Sequence, residues 1–171
     1  MKVILLAAIS ADGFIGASAS HRSLDWRSKE DAAFFISKSK EAGVIIMGST
    51  TYKTFRIKRA PPGRRLIVYT HKPEEIVGDD VETTAEGPRE LLDRLEREGL
   101  DTVVLGGGAI INKLFFDNNL VDELYLTIEP ILFGAGVNLL SGPVGTHLQL
   151  QEIRKMGDNT LLIHYRVSKA E

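Results

Sequence analysis

The sequence predicts an α/β fold: a single domain, residues 1–171, in which a mostly parallel central sheet is flanked by helices and ends in a C-terminal antiparallel hairpin. Apolar runs of strand length alternate with segments of helical periodicity, the pattern of strand–helix–strand units. Two further runs, at about 147–155 and 160–168, flank Gly157-Asp158-Asn159, which is a hairpin signal. A chain of 171 residues is long enough to bury one sizeable core.

Each predicted strand is an apolar run. The first, Lys2–Ser10, is continuous and is therefore typical of a strand covered on both faces. Further strands are predicted at 44–47, 66–70, 102–105 and 123–133, and a shorter run at 81–84 is an additional candidate. Between the first strand and the first helix, residues 12–16 predict a turn and residues 17–23 a polar loop.

The first helix is predicted at about residues 28–41, ending at Gly43. Ser28 can accept a hydrogen bond from the first turn, and Asp31 suits the positive end of the helix dipole. The apolar run 32–36 follows at once, so burial there could shift the pKa of Asp31. By this motif alone, capping is the simpler interpretation of Asp31. The other helices are predicted at 49–55, 88–98 and 109–117.

Composition excludes several classes of function. The net charge is −2, so no overall field attracts nucleic acid or an anionic membrane. The chain has no cysteine, and its four histidines show no ligand spacing, so no metal is expected. The apolar start is too short for a membrane span and lacks a signal-peptide pattern, which predicts a cytoplasmic protein. A G-x-S-x-G hydrolase motif is also absent.

Small and hydroxyl residues follow three of the predicted strands: Gly48 to Thr51, Thr70-His71, and Gly106 to Gly108. Ligands of open α/β sheets bind at the carboxyl ends of strands, and a glycine turn entering a helix favours phosphate. The turn matches neither the P-loop nor the G-x-G-x-x-G pattern. Taken together, the three segments predict a dinucleotide lying across several strand ends.

The loop 56–65 carries the strongest local excess of positive charge. Most of its basic residues are expected to be solvated. A nucleic-acid site would need interleaved aromatic residues, and only Phe55 is nearby. Arg64 precedes a buried strand by two residues and is better placed to hold a ligand carboxylate.

Five segments together resemble the dihydrofolate reductase family, and the resemblance runs from Lys2 to about Val167. They are Leu6-Ala7-Ala8-Ile9 with Asp12 to Gly16, Leu24-x-Trp26 with Asp31 and Phe34-Phe35, Ile46-Met47-Gly48 with Thr51-Tyr52, Gly63-Arg64, and Gly106-Gly107-Gly108 with Val121 to Thr127. The spacing from Trp26 to Asp31 is the most specific of these signals.

The resemblance implies NADPH as cofactor and a role for each matching residue. It implies catalytic roles for Asp31, Trp26 and Thr127, with Thr127 supporting the acid. It implies that substrate contacts Ala8, Leu24, Phe35, Phe55 and Arg64, with Arg64 on a glutamate carboxylate. Cofactor contacts are implied for Ala7, Ile15, Gly16, Gly48, Thr50, Thr51, Thr70, His71, Leu105, Gly106, Gly107, Gly108, Ala109 and Ile110. Reduction of dihydrofolate to tetrahydrofolate is the leading expectation.

Two departures keep alternatives open. Ser49 stands where many family members carry an arginine for the 2′-phosphate of the cofactor, so NADH remains an alternative to NADPH. The segment 129–136 is more similar to the related reductase domain of riboflavin biosynthesis, whose substrate is a ribosylamino-pyrimidine. The expected partner is thus a small pterin or pyrimidine, with neither nucleic acid nor a membrane, and the chain is a monomer or homodimer. A catalytically silent dinucleotide-binding module is the third possibility.

Overall fold

The computed structural model describes residues 1–169, and the predicted α/β class with its C-terminal hairpin is confirmed. The strands are β1 (Lys2–Ser10), β2 (Phe14–Gly16), β3 (Val44–Gly48), β4 (Arg65–Tyr69), β5 (Val81–Thr84), β6 (Thr102–Leu105), β7 (Glu123–Glu129), β8 (Val137–Asn138), β9 (Leu148–Met156) and β10 (Thr160–Val167). The helices are α1 (Lys29–Ala42), α2 (Ser49–Phe55), α3 (Pro88–Arg97) and α4 (Ala109–Asp117). Short 3₁₀ turns occur at Ser23–Asp25 and Pro73–Glu75.

Eight strands form one sheet in the order β5-β4-β3-β6-β1-β7-β10-β9. All neighbours from β5 to β7 are parallel, whereas β10 runs antiparallel to both β7 and β9. β1 is therefore central and is hydrogen-bonded to β6 on one side and to β7 on the other. The carboxyl ends of β1, β3, β4, β6 and β7 consequently lie along one edge of the sheet, which is where the site forms.

The continuous apolar run of β1 has a direct structural reason. Val3 and Leu5 pack in one buried cluster with apolar residues of α3 and α4. Ile4 and Leu6 pack in another cluster with Ala42 of α1. Successive side chains of a strand point to opposite faces, so a strand covered on both faces is apolar throughout.

Helix α1 begins and ends at the residues that the sequence indicates. Ser28 is its N-cap, and its hydroxyl accepts a hydrogen bond of 3.1 Å from the backbone N–H of Asp31. Gly43 is its C-cap, with φ of +75°, a left-handed conformation that favours glycine. This capping fixes where the first turn of α1, and with it Asp31, meets the sheet.

Two predicted boundaries are wrong. The strand expected at 123–133 ends at Glu129, because Pro130 has no N–H with which to continue the ladder and the chain leaves the sheet there. The turn expected at 12–16 contains β2, which pairs with β8 in a separate two-stranded sheet. Strands this short leave no periodic signal. Within residues 1–169, no helix combines the length and apolarity that crossing a membrane requires.

Candidate active site

A cleft of about 760 Å³ opens along the carboxyl ends of the parallel strands. Most of the residues singled out in the sequence line it. They are Ala7, Ala8, Ile15, Leu24, Asp31, Phe35, Gly48, Thr50, Thr51, Phe55, Thr70, His71, Gly106, Gly107, Gly108, Ala109, Ile110 and Thr127. Segments far apart in the chain are thus brought together in one continuous cleft.

Four of the singled-out residues do not line this cleft. Leu105 is fully buried in β6, and Gly16 is buried in β2. Trp26 packs edge-to-face on Phe133, with ring centroids 5.2 Å apart. Arg64 lies beside α1 and donates a hydrogen bond of 2.8 Å to the Ser39 hydroxyl.

Asp31 lies at the floor of the cleft, and its residue is only 5% exposed. Its carboxyl has two polar partners. The Thr127 hydroxyl of β7 hydrogen-bonds to it. The guanidinium Nη1 of Arg27 donates to Oδ2 at 3.3 Å. A buried carboxyl with these partners can accept further N–H groups of a ligand, which is more than helix capping requires.

The surroundings of Asp31 act on its pKa in opposite directions. Burial is the largest influence and raises the pKa above the usual aspartate value, and the charge of Glu129 raises it further. The hydrogen bond from Thr127 and the charge of Arg27 lower it. The net result is a pKa of Asp31 above the usual aspartate value.

Glu129, at the end of β7, holds the start of α1 in place, and sequence reasoning missed this role. The residue is 1% exposed, and its Oε1 accepts hydrogen bonds from the Ser28 N–H at 2.9 Å and the Ser28 hydroxyl at 2.7 Å. Its Oε2 accepts one from the Thr160 hydroxyl at 3.0 Å. A carboxylate between Ile128 and Pro130 in an otherwise apolar run is the signal that could have indicated a buried, fully bonded group.

Arg27 is the second group that sequence reasoning missed. Its side chain is 15% exposed, lines the cleft, and stacks over Phe35 with its guanidinium carbon 5.9 Å from the ring centroid. The available signal was a cationic residue four positions before Asp31, close enough along the chain to form an ion pair with it.

The glycine turn after β6 is bonded to the end of β3. The Gly48 N–H donates to the Gly107 carbonyl at 2.9 Å, and the Gly106 N–H donates to the Ile46 carbonyl at 2.8 Å. Gly107 has φ of +92°, and the peptide that joins it to Gly108 is cis. A Cβ on Gly108 would lie 2.9 Å from the Thr51 hydroxyl oxygen. The turn therefore lies close against β3 and α2, and a side chain on Gly108 would not fit beside Thr51.

The loop that follows β1 is tied to the loop that follows β7. Asp12 accepts hydrogen bonds from the Ser10 hydroxyl at 2.6 Å and from the backbone N–H groups of Phe133 and Gly134 at 3.1 and 2.6 Å. The hydrogen bond from Ser10, the largest influence, lowers the pKa of Asp12, as do the backbone bonds. Asp12 thus remains ionised and fixes the loop that leads to Ile15 in the cleft wall.

Comparisons with known proteins show the family and the fold of this chain. The model of the RibD C-terminal domain family matches residues 1–162. A Caenorhabditis elegans protein described as "Putative dihydrofolate reductase" is 31% identical over 150 residues, which cover 82% of this chain and 78% of that protein.

Two solved structures share the fold. A pyrimidine reductase-like protein from Corynebacterium diphtheriae matches with a TM-score of 0.79 at 17% identity, covering 99% of this chain and 92% of that one. Dihydrofolate reductase from Enterococcus faecalis, in complex with NADP(H), matches with a TM-score of 0.73 at 19% identity, covering 98% and 97%. With a family match over nearly its whole length and the dihydrofolate reductase fold around the cleft, this chain belongs to the RibD C-terminal domain family.

Proposed function

We propose that this protein is a reductase that transfers hydride from NADPH to a C=N bond of a substrate containing a pyrimidine ring, with dihydrofolate as the first candidate. The observation that carries the proposal is the position of Asp31. Its buried carboxyl lies beside Thr127 in the cleft that also contains the glycine turn after β6. A carboxyl that binds the heterocycle and a turn that holds a dinucleotide are the two parts that such a reaction needs.

The residues along the cleft fit a dinucleotide. β5 and β7 are five strand positions apart in the sheet, which is about 24 Å at the usual spacing. The glycine turn lies between these ends and offers N–H groups at the start of α4, where phosphate oxygens are stabilised. Thr70 and His71 line the β4 side, where the adenosine end would lie, and Ala7 and Ala8 line the side near Asp31.

When bound, NADPH would supply the hydride, and the protein would supply position and charge. Asp31 accepts hydrogen bonds from N–H groups of the pyrimidine ring, and its negative charge raises the proton affinity of the ring nitrogen that is protonated. The proton comes from water. Thr127 keeps the Asp31 carboxyl in its orientation. Leu24, Phe35 and Phe55 form apolar walls that exclude bulk water from the reacting atoms.

A ribosylamino-pyrimidine is the second candidate substrate, and the position of Arg64 favours it. Dihydrofolate carries a glutamate tail, for which a cationic partner is needed. Arg64 instead hydrogen-bonds to Ser39 and does not line the cleft. A substrate without a glutamate tail does not need that contact. Membership of the RibD C-terminal domain family also supports this candidate.

The test is NADPH oxidation, followed by absorbance, with purified protein and each of the two substrates. We expect turnover with one of them, and a loss of roughly 10²–10⁴ in kcat/KM for Asp31→Asn. The control variant is Asp25→Asn, which removes an exposed carboxylate outside the cleft lining. Tight NADPH binding with no oxidation in the presence of either substrate would favour the non-catalytic module instead.

A further inference from the structure

Strand β9 ends the main sheet and is paired on one side only. Among residues 1–169, its single neighbour is β10, so the main-chain N–H and C=O groups that point away from β10 have no strand to pair with. All of its residues except Met156 are exposed. An open edge of this kind is a template for a further strand, and proteins normally shorten, bend or cover it. From Glu152 to Met156 the pairing with β10 is regular, so this stretch of edge is straight enough to accept another strand.

The outer part of the sheet also exposes apolar side chains on one face. Ile153 lies opposite Ile163 of β10, which in turn lies opposite Leu126 of β7. The three form an apolar row that crosses three strands and ends in solvent at Ile153, which is 60% exposed. Such a group of exposed apolar residues marks a surface that is covered in an assembly. Those on β9 and β10 that are 40% to 60% exposed are Leu148, Leu150, Ile153 and Leu161.

The charges beside Ile153 are arranged symmetrically about it. Glu152 precedes it and Arg154 follows it, and both project from the opposite face of β9, because successive side chains of a strand alternate. The Arg154 and Glu152 side chains are 50% and 49% exposed, and their closest charged atoms are 3.8 Å apart. This separation exceeds hydrogen-bond distance, so both groups keep donors and acceptors for a further partner.

We propose that two copies of this chain form a dimer by pairing their β9 strands antiparallel, with the two-fold axis at Ile153. In this register Glu152 of each copy lies opposite Arg154 of the other, so the attractive pair occurs twice. The two Ile153 side chains meet on the other face and continue the apolar row from one sheet into the next. Among the described residues, those that line the cleft include none from β9, so the contact is separate from the proposed active site.

The charges select this register over its neighbours. Opposite residues in a sheet share a face, so in a symmetric antiparallel pair the axis passes through a residue and not between two. An axis at Glu152 would bring two carboxylates together, and an axis at Arg154 would bring two guanidinium groups together. Like charges directly opposite each other destabilise a sheet, whereas unlike charges stabilise it. The charge pattern of β9 is therefore complementary to itself, which is what a two-fold contact between identical copies requires.

The experiment measures the monomer–dimer equilibrium of the full chain by sedimentation velocity. We expect wild-type protein to form a reversible dimer with a dissociation constant on the order of micromolar, because pairing one strand edge buries less surface than a standard interface. Glu152→Arg and Arg154→Glu should each weaken the dimer by about 10- to 100-fold, since each places like charges opposite each other at two symmetry-related positions.

Charge exchange tests the register itself. An equimolar mixture of the Glu152→Arg and Arg154→Glu proteins should form a dimer with one copy of each, because unlike charges are again opposite at both positions. The double variant, with both substitutions in one chain, should form a homodimer of nearly wild-type affinity. The matched control is Arg89→Glu, which makes the same charge change at an exposed position of α3 and should leave the dissociation constant unchanged.

Three outcomes would overturn the proposal. Wild-type protein could remain monomeric at all concentrations up to about 100-fold above the expected dissociation constant. Wild-type protein could form a dimer that neither single variant weakens, which would mean that the copies associate through another surface. The single variants could be weakened while their mixture and the double variant stay monomeric, which would exclude this register. The wild-type titration is a test even if a variant does not fold, and none of these outcomes affects the reductase proposal.

Discussion

The Glu129 carboxylate accepts two hydrogen bonds from Ser28, although the two residues are 101 positions apart in the chain. The Ser28 hydroxyl in turn accepts a hydrogen bond from the Asp31 N–H. The end of β7 therefore fixes the first turn of α1, and that turn presents the acidic side chain to the cleft. Glu129 is a positioning residue, because it acts on Asp31 through Ser28 and the backbone.

Removing this carboxylate should destabilise the fold. Glu129→Leu leaves the Ser28 N–H, the Ser28 hydroxyl and the Thr160 hydroxyl without their acceptor in a buried site. We expect unfolding free energy to fall by about 2–5 kcal/mol, measured by urea denaturation. Glu129→Gln retains one acceptor oxygen for Ser28 and should cost much less. Equal losses for both variants would indicate that the negative charge of Glu129, and not the number of acceptor oxygens, dominates at this position.

Asp31→Asn should separate stability from activity. Burial raises the pKa of Asp31 in the folded protein above the ordinary aspartate value of about 3.9, which applies to the unfolded chain. At a pH between these two values, Asp31 is ionised in the unfolded chain while the folded protein still holds the proton. Stability therefore falls as pH rises through that window. Asp31→Asn removes this loss, so its melting temperature at neutral pH should equal or exceed that of wild type, with the difference narrowing below about pH 4. A clear destabilisation at neutral pH would mean that the Arg27 and Thr127 contacts outweigh burial.

The glycine turn can be tested with a matched pair of variants. Gly107 and Gly63 both have positive φ, +92° and +70°, and neither would place a Cβ within 4 Å of another residue. Alanine at either position thus strains the backbone similarly, by roughly 1 kcal/mol or more. Only Gly107→Ala places a methyl group in the cleft, so only that variant should lose NADPH affinity, measured by fluorescence titration. Similar loss in Gly63→Ala would show a general effect of backbone strain.

Asp12→Ala should release the loops that Asp12 joins. Without the carboxylate, the Phe133 and Gly134 N–H groups lose their acceptor, and hydrogen exchange in residues 131–136 should become faster. The lowered pKa of Asp12 means that wild-type protein should keep this protection to a pH below the ordinary aspartate range. Asp25→Ala, which removes an exposed ion pair with Arg22, is the control. Unchanged exchange in 131–136 would contradict the assignment.

Arg64→Leu tests whether Arg64 contacts the glutamate tail of dihydrofolate. Because Arg64 bonds to Ser39 outside the cleft lining, we expect KM for dihydrofolate and for a tail-less dihydropterin to change by the same factor. A selective rise of KM for dihydrofolate would instead mean that the glutamate tail reaches Arg64. Steady-state kinetics with both compounds provide the measurement.

The sequence was sufficient to predict the elements that depend on neighbouring residues in the chain. The buried strands, the Ser28 cap and the Gly43 stop all rest on signals within a few residues. Glu129 escaped because its role depends on contacts made across the fold. Its partners Ser28 and Thr160 lie 101 and 31 positions away along the chain. Arg27 escaped because an arginine four residues before an aspartate is typical of an exposed ion pair, and its burial depends on the fold. The position of Arg64 is likewise decided by α1 and not by its own segment.

The central place of β1 has a consequence for how the chain is made. Lys2 pairs in register with Thr102, and Ile4 pairs with Glu123, so β1 has no partner in the main sheet until the chain has been synthesised beyond residue 102. Among the strands made before residue 102, the parallel ladder of β3, β4 and β5 can form from nearby sequence. Pairings this distant close slowly, because the entropy of a long loop is lost before the contacts are gained. During translation, β1 must therefore wait on the ribosome as an unpaired apolar segment, and it is the stretch of this chain that a chaperone would most need to shield.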